Sequence, residues 1–236
     1  MTSVNFLRSA LGAAVICAAA LGSSAQADVI YDGGAPELRG GARSDRGSPA
    51  DLYYLSAMPF TLSPGMTEVT DAHWWGICAL DCPAQGDFVI TFYQDAAGLP
   101  GTEISSYGVG SANQTATGNI VGDPRYTTYP EYEYDATIAA LSLAANTPYW
   151  VEISNNTEYA LTGSWFWETT ATTSNLNAFY CGPGTSSMFC EPGQWGLANA
   201  SLAFQLTGPT IPEPATVALL GIGLAGLGFS RRRKRA

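Results

Sequence analysis

The chain has 236 residues, of which 46% are hydrophobic and only 13% charged, with a formal net charge of −10 at pH 7. Acidic residues outnumber basic ones twenty to ten, and a surface of that sign repels nucleic acid and anionic polysaccharide unless cations intervene. The basic residues are also badly placed for a nucleic-acid interface, because five of the ten form one block at the C-terminus, Arg231 to Arg235.

Met1 to Ala27 reads as a secretory signal helix. Arg8 supplies the n-region, Ala10 to Leu21 the apolar core, and Ala25-Gln26-Ala27 a small-x-small site for signal peptidase. The mature chain is then expected to begin at Asp28. Cys17 lies inside the apolar core with no lipobox ahead of Asp28, so no lipid anchor is expected.

Residues 28–210 form one predicted extracellular domain, large enough for a sizeable core. Its charge is lopsided: nineteen acidic residues stand against Arg39, Arg43, Arg46 and Arg125, a formal −15. Residues 31–50, rich in glycine, are expected to be a loose arm with brief strands at most. Thr67 to Ile77 is a predicted strand. In Phe88 to Tyr93, alternation puts Phe88, Ile90 and Phe92 on one face, and the glycine- and proline-rich stretch Asp95 to Gly101 predicts a turn. Glu131 to Asp135 reads as a half-exposed strand with two tyrosines opposite a row of carboxylates. Pro148 to Ile153 places Tyr149, Val151 and Ile153 against Trp150 and Glu152, and Trp165 to Glu168 is a further aromatic strand. Ala200 to Leu206 turns Leu202, Phe204 and Leu206 inward. No long helical period occurs in 28–210, so the expected fold is all-β, an antiparallel β-sandwich or jelly roll.

Beyond the domain, residues 211–236 have a different order. Pro212-Glu213-Pro214 precedes an uncharged apolar run, Ala215 to Phe229, and then the basic block that includes Arg231, Arg232 and Arg233. This is an anchoring pattern, an apolar helix that enters a bilayer followed by cations held on the cytoplasmic side. The run is shorter than the roughly 20 residues of a full span and carries Gly221, Gly223, Gly226 and Gly228, so a temporary anchor is expected. The tripartite tail resembles the PEP-CTERM sorting signal of Gram-negative bacteria that make extracellular polysaccharide. That resemblance implies cleavage near Pro-Glu-Pro by an exosortase-type membrane protease, transient insertion in the inner membrane, and a final place at the cell envelope, outer surface or extracellular matrix. The body is similar to a recurrent β-sandwich ectodomain of such proteins, through Trp74-Trp75-Gly76, Asp87 to Tyr93 with Gly98 to Gly101, Thr147 to Ile153, and Trp165-Phe166-Trp167. That similarity brings no activity with it.

Without Cys17 four cysteines remain. In an oxidising compartment they allow three pairings, of which Cys78–Cys82 and Cys181–Cys190 are favoured because each closes a short, turn-rich loop. A four-thiolate zinc site is disfavoured by the wide spacing of the second pair. Motifs of catalysis are scarce. A Ser-His-Asp triad would have to use His73, the lone histidine, and no Gly-x-Ser-x-Gly elbow accompanies it. Glu131 and Glu133 share a strand face and are the paired carboxylates to weigh as acid and base on a glycosidic bond. On an acidic β protein such a pair is read as a solvated face.

Binding is the better expectation. Trp74, Trp75, Trp150, Trp165, Trp167 and Trp195 are the ligand-binding candidates, since sugars stack on exposed aromatic rings, although at least four of the six are expected to fill the core. Calcium has only compositional support, from Asp81, Asp87, Asp95, Asp123 and Asp135 near turns. The expected function is a non-enzymatic, structural or weakly glycan-binding surface protein associated with exopolysaccharide. The alternatives are an extracellular carbohydrate-active enzyme and a cation-dependent adhesin.

Overall fold

The structure, a computed structural model, describes residues 27–46, 53–79, 86–122, 128–156, 164–171 and 177–209. The expected signal helix over 1–27 and the apolar helix of 211–236 therefore lie outside the described residues, save Ala27. Among the described residues all regular structure is β, and no helix is long and apolar enough to cross a membrane.

Thirteen strands make two sheets packed as a sandwich, and every strand pairing is antiparallel. The first sheet is built around β4 (Glu68–Ala79). One edge of β4 pairs with β8 (Thr128–Ser142), which pairs in turn with β7 (Asn113–Gly122). Two strands divide the other edge: β13 (Phe204–Pro209) pairs with Asp71 to Trp74, and β10 (Ser164–Thr170) with Gly76 to Ala79. Outside these lie β1 (Ala27–Asp32) on β13 and β2 (Pro36–Arg43) on β10. The second sheet runs in the order β12 (Gln194–Leu197), β11 (Ala178–Cys181), β3 (Tyr54–Thr61), β9 (Pro148–Asn155), β5 (Phe88–Asp95) and β6 (Pro100–Gly110).

Period-two alternation decides which side chains meet between the sheets. Phe88, Ile90 and Phe92 are fully buried, as are Val151 and Ile153, and they face Trp74, Tyr134, Trp165, Trp167, Phe204 and Leu206 from the first sheet. Trp74 stacks on Tyr134 with centroids 5.6 Å apart, while Phe88 meets Trp74 at 5.2 Å and Trp165 at 5.1 Å, both edge-to-face. Gly76 belongs here for a steric reason: a Cβ at this position would lie 2.6 Å from the Trp165 indole. The hairpin between β5 and β6 turns at Ala97 and Gly98, with φ of 57° and 84°. Two left-handed residues make the tight turn whose twist suits paired strands, and glycine holds one of them without cost.

Two expectations need correction. Of residues 31–50, the described part, 31–46, is not a loose arm, since the end of β1 and the eight-residue β2 lie in it. Their glycines do not abolish pairing because β2 uses them for close approach: at Gly41 a Cβ would lie 2.7 Å from the Trp167 carbonyl oxygen. The acidic face of 131–135 is likewise not uniformly solvated, because Glu131 is 1% exposed.

Phe88 touches both tryptophans and Tyr134. Phe88→Ala should therefore destabilise the domain by about 3–5 kcal/mol, measured as a shift in the denaturant midpoint at unchanged slope.

Candidate functional site

The six tryptophans separate by face. Trp74, Trp165 and Trp167 are in the core between the sheets, and Trp150 is 2% exposed on the outer side of the second sheet. None of the four presents a ring face to a ligand. Trp75 and Trp195 are partly exposed, on the outer faces of the first and second sheets respectively. The two adjacent tryptophans Trp74 and Trp75 thus point opposite ways, as strand geometry requires.

The outer face of the second sheet gathers a group of aromatic and polar side chains. Alternation puts Tyr180 beside Trp195, Ala178 and Ala57 in the next row, and Trp150 beside Tyr93. The two alanines are small enough for Trp195 to reach across them to Tyr93, at 5.9 Å between centroids, while resting on Tyr180 at 5.2 Å. Trp150 forms the floor, its indole N–H donating to Asp95 Oδ1 at 2.8 Å. Asp95 Oδ2 accepts the Gly98 N–H of the tight turn. One carboxylate therefore ties the aromatic floor to the β5–β6 hairpin.

Beside the rings lies a buried ion pair. Glu152 is 0% exposed, and its two oxygens each accept from Arg46 Nη2 at 2.7 Å. Tyr93 Oη also donates to Glu152 Oε2 at 2.7 Å, and Arg46 Nε donates to Ser154 Oγ at 2.8 Å. Burial first, then the Glu152 charge and hydrogen bond, push the Tyr93 phenol far above its ordinary range, so it stays a donor. Burial works against the Arg46 charge, but Glu152 outweighs it and the guanidinium is held more firmly protonated.

On the first sheet, His73 Nε2 lies 2.8 Å from Asp71 Oδ1. Burial raises the Asp71 carboxyl, with His73 and Thr137 opposing the rise. The aspartates considered for calcium do not converge. Asp87 and Asp95 sit at opposite ends of β5, and Asp135 belongs to the other sheet, bonded to Asn113. Asp81 and Asp123 lie outside the described residues, and among the described residues no three His, Cys, Asp or Glu side chains group to hold a metal. Cys181 and Cys190 are joined by a disulfide that closes the loop between β11 and β12. Cys78 is also disulfide-bonded, and its expected partner Cys82 lies outside the described residues.

Reading the sequence missed Arg46, Glu152 and Tyr93. A signal was there: Arg46 is one of four cations in an acidic domain, and Glu152 sits mid-strand among residues apolar on both faces.

Comparison with known proteins bears on the other end of the chain, where residues 210–234 match the model of the PEP-CTERM protein-sorting motif. The chain carries a PEP-CTERM sorting motif. It is thereby an exported, cell-surface-associated protein, and the PEP-CTERM tail implies processing by an exosortase-type system. No curated protein and no solved structure matches the chain. Pro212, Glu213, Pro214, Arg231, Arg232 and Arg233 all fall within the matched stretch, outside the described residues.

Removing the cation under the aromatic face leaves Glu152 buried and unpaired. Arg46→Met should cost about 3–5 kcal/mol in denaturant melts near neutral pH, and Arg46→Met combined with Glu152→Leu should recover much of that loss.

Proposed function

We propose that the domain is a non-enzymatic cell-surface module that holds polysaccharide weakly on the outer face of the second sheet. The observation that carries this reading is the position of Trp195. Its ring is partly exposed and fixed between Tyr93 and Tyr180, packed on Ala57, Ala178 and Trp150. A ring already immobilised by neighbours loses little entropy when a sugar stacks on it. Asp95 and Arg46, both partly exposed, stand at the margin as acceptor and donor for hydroxyl groups. With a formal −15 on residues 28–210, the domain suits neutral or cationic polymers over polyanions.

The carboxylates also support the non-enzymatic reading. Glu152 is occupied by Arg46 and Tyr93, and Glu131 is buried on the other sheet, so neither stands free beside the aromatic face as a glycosidic acid or base requires. A surface location follows from the sorting motif, and association with the exopolysaccharide outside the cell is the role proposed for the face.

Affinity electrophoresis of the full chain in detergent, through native gels containing soluble neutral, cationic or acidic polysaccharides, tests the proposal. Retardation by a neutral or cationic polymer is expected, weakened roughly tenfold by Trp195→Ala, or about 1.4 kcal/mol. Migration unaffected by every polymer, or equal retardation of the variant, would sink it.

A further inference from the structure

We propose that Glu131 and Glu168 share a single proton, and that this proton latches β2 to β7 across the outer face of the first sheet. The two carboxyls come from β8 and β10, on opposite sides of β4. Ile77 is paired with Glu131 on one side and Phe166 on the other, and Glu168 lies two residues further along β10. Both side chains are withdrawn from solvent, at 1% and 0% exposure, and Glu131 is close enough to raise the Glu168 carboxyl.

Each carboxyl is satisfied on one oxygen only. Glu131 Oε2 accepts from Thr117 Oγ1 and from Asn119 Nδ2, the latter at 2.8 Å. Glu168 Oε1 accepts the Leu38 N–H at 2.9 Å. The remaining oxygens, Glu131 Oε1 and Glu168 Oε2, are buried without a partner. A buried acceptor left unpaired is costly, and two carboxylates side by side repel. One proton removes both penalties: Glu168 becomes the donor and Glu131 the acceptor, and no oxygen is left over.

The strands on either side are bent toward this pair. β7 breaks register between Ala116 and Ile120, with Gly118 at φ 82°, which delivers Thr117 and Asn119 to Glu131. In β2, Leu38 has φ 61°, an unfavourable conformation for a leucine, and its N–H is the one that Glu168 holds. β2 and β7 also touch each other, so the sheet curls over its own outer face. Hydrogen bonds thus run from Leu38 through the two carboxyls to Thr117 and Asn119, and the proton is the middle link.

Charges near the pair favour keeping that proton. β2 brings Glu37 together with Arg39 and Arg43, with the Arg39 side chain 83% exposed. β8 brings Glu133 and Asp135, β4 brings Asp71 and His73 on the same face, and β7 has no ionisable side chain. Burial first, then hydrogen bonding to Glu131 and its charge, push the Glu168 carboxyl up to about 8, with the Leu38 N–H opposing and Glu37 adding to the rise. An unfolded glutamate titrates near 4.3, so between these values the folded chain keeps a proton that the unfolded chain has lost. Stabilisation by the latch is therefore complete below about pH 4 and lost as pH rises through about 8.

Infrared titration of the full chain in detergent is the direct test. A protonated carboxyl band should persist at pH 6.5, disappear by about pH 10, and be missing at pH 6.5 from both Glu168→Gln and Glu131→Gln. The amide in either variant replaces the proton with a permanent N–H, so the protection factor of the Leu38 amide should fall about tenfold between pH 7 and 9 in the native chain and stay level in the variants. Absence of the band from the native chain at pH 6.5, or its persistence in both variants, would overturn the proposal. So would loss of the band on adding calcium with a rise in melting temperature, which would make the pair a cation site.

Discussion

Trp74, Tyr134, Phe88 and Trp165 come from four strands, β4, β8, β5 and β10, and their rings touch in one cluster between the two sheets. That contact sets the phase of each strand. Once Trp74 points inward, Trp75 must point outward; once Trp165 and Trp167 point inward, Phe166 and Glu168 cannot. A slip of one residue in β8 would put Glu133 or Asp135 among the rings. The aromatic cluster therefore holds the sandwich together and also decides which residues each outer face receives.

The two outer faces then differ in kind. On the second sheet, Ala57 and Ala178 leave room for Trp195, Tyr93 and Trp150 to gather, and Arg46 neutralises the one carboxylate buried among them. On the first sheet the outward residues include Asp71, Glu131, Glu133, Asp135 and Glu168, and Arg39 of β2 turns its side chain to solvent. Burying carboxyls there calls for another solution, and Glu131 and Glu168 are arranged back to back with one free oxygen each. The same requirement, that no buried carboxylate stays uncompensated, is met by an arginine on one face and by a proton on the other.

Much of the fold is legible in the chain because period-two alternation is a local property. Phe88, Ile90 and Phe92 declare their face without reference to any other strand, and so do Tyr149, Val151 and Ile153. β1, β3, β11 and β12 escaped notice too; β2, β6 and β7 did so because they are rich in Gly, Ser, Thr and Asn and carry little apolar alternation. Their stability comes from backbone pairing to stronger neighbours, which leaves no mark in their own composition. For the candidate site, the tryptophans were visible as a set, but which of them reach solvent was not. Alternation puts Trp150 on the outer side of its strand, yet it is buried there while Trp195 stays partly exposed, and only packing across the sheet separates the two.

The sequence by itself determined the route and the material. An apolar N-terminal stretch ending in Ala-x-Ala, a Pro-Glu-Pro tail with its basic block, and an acidic all-β body follow from composition, order and period, which are properties of neighbouring residues. Pairing across long separations belonged to the tertiary structure alone. Arg46 meets Glu152 and Glu131 meets Glu168 because strands distant in the chain are laid side by side. A carboxylate's partner, and with it the choice between solvent, arginine and proton, is set by what the fold places against it.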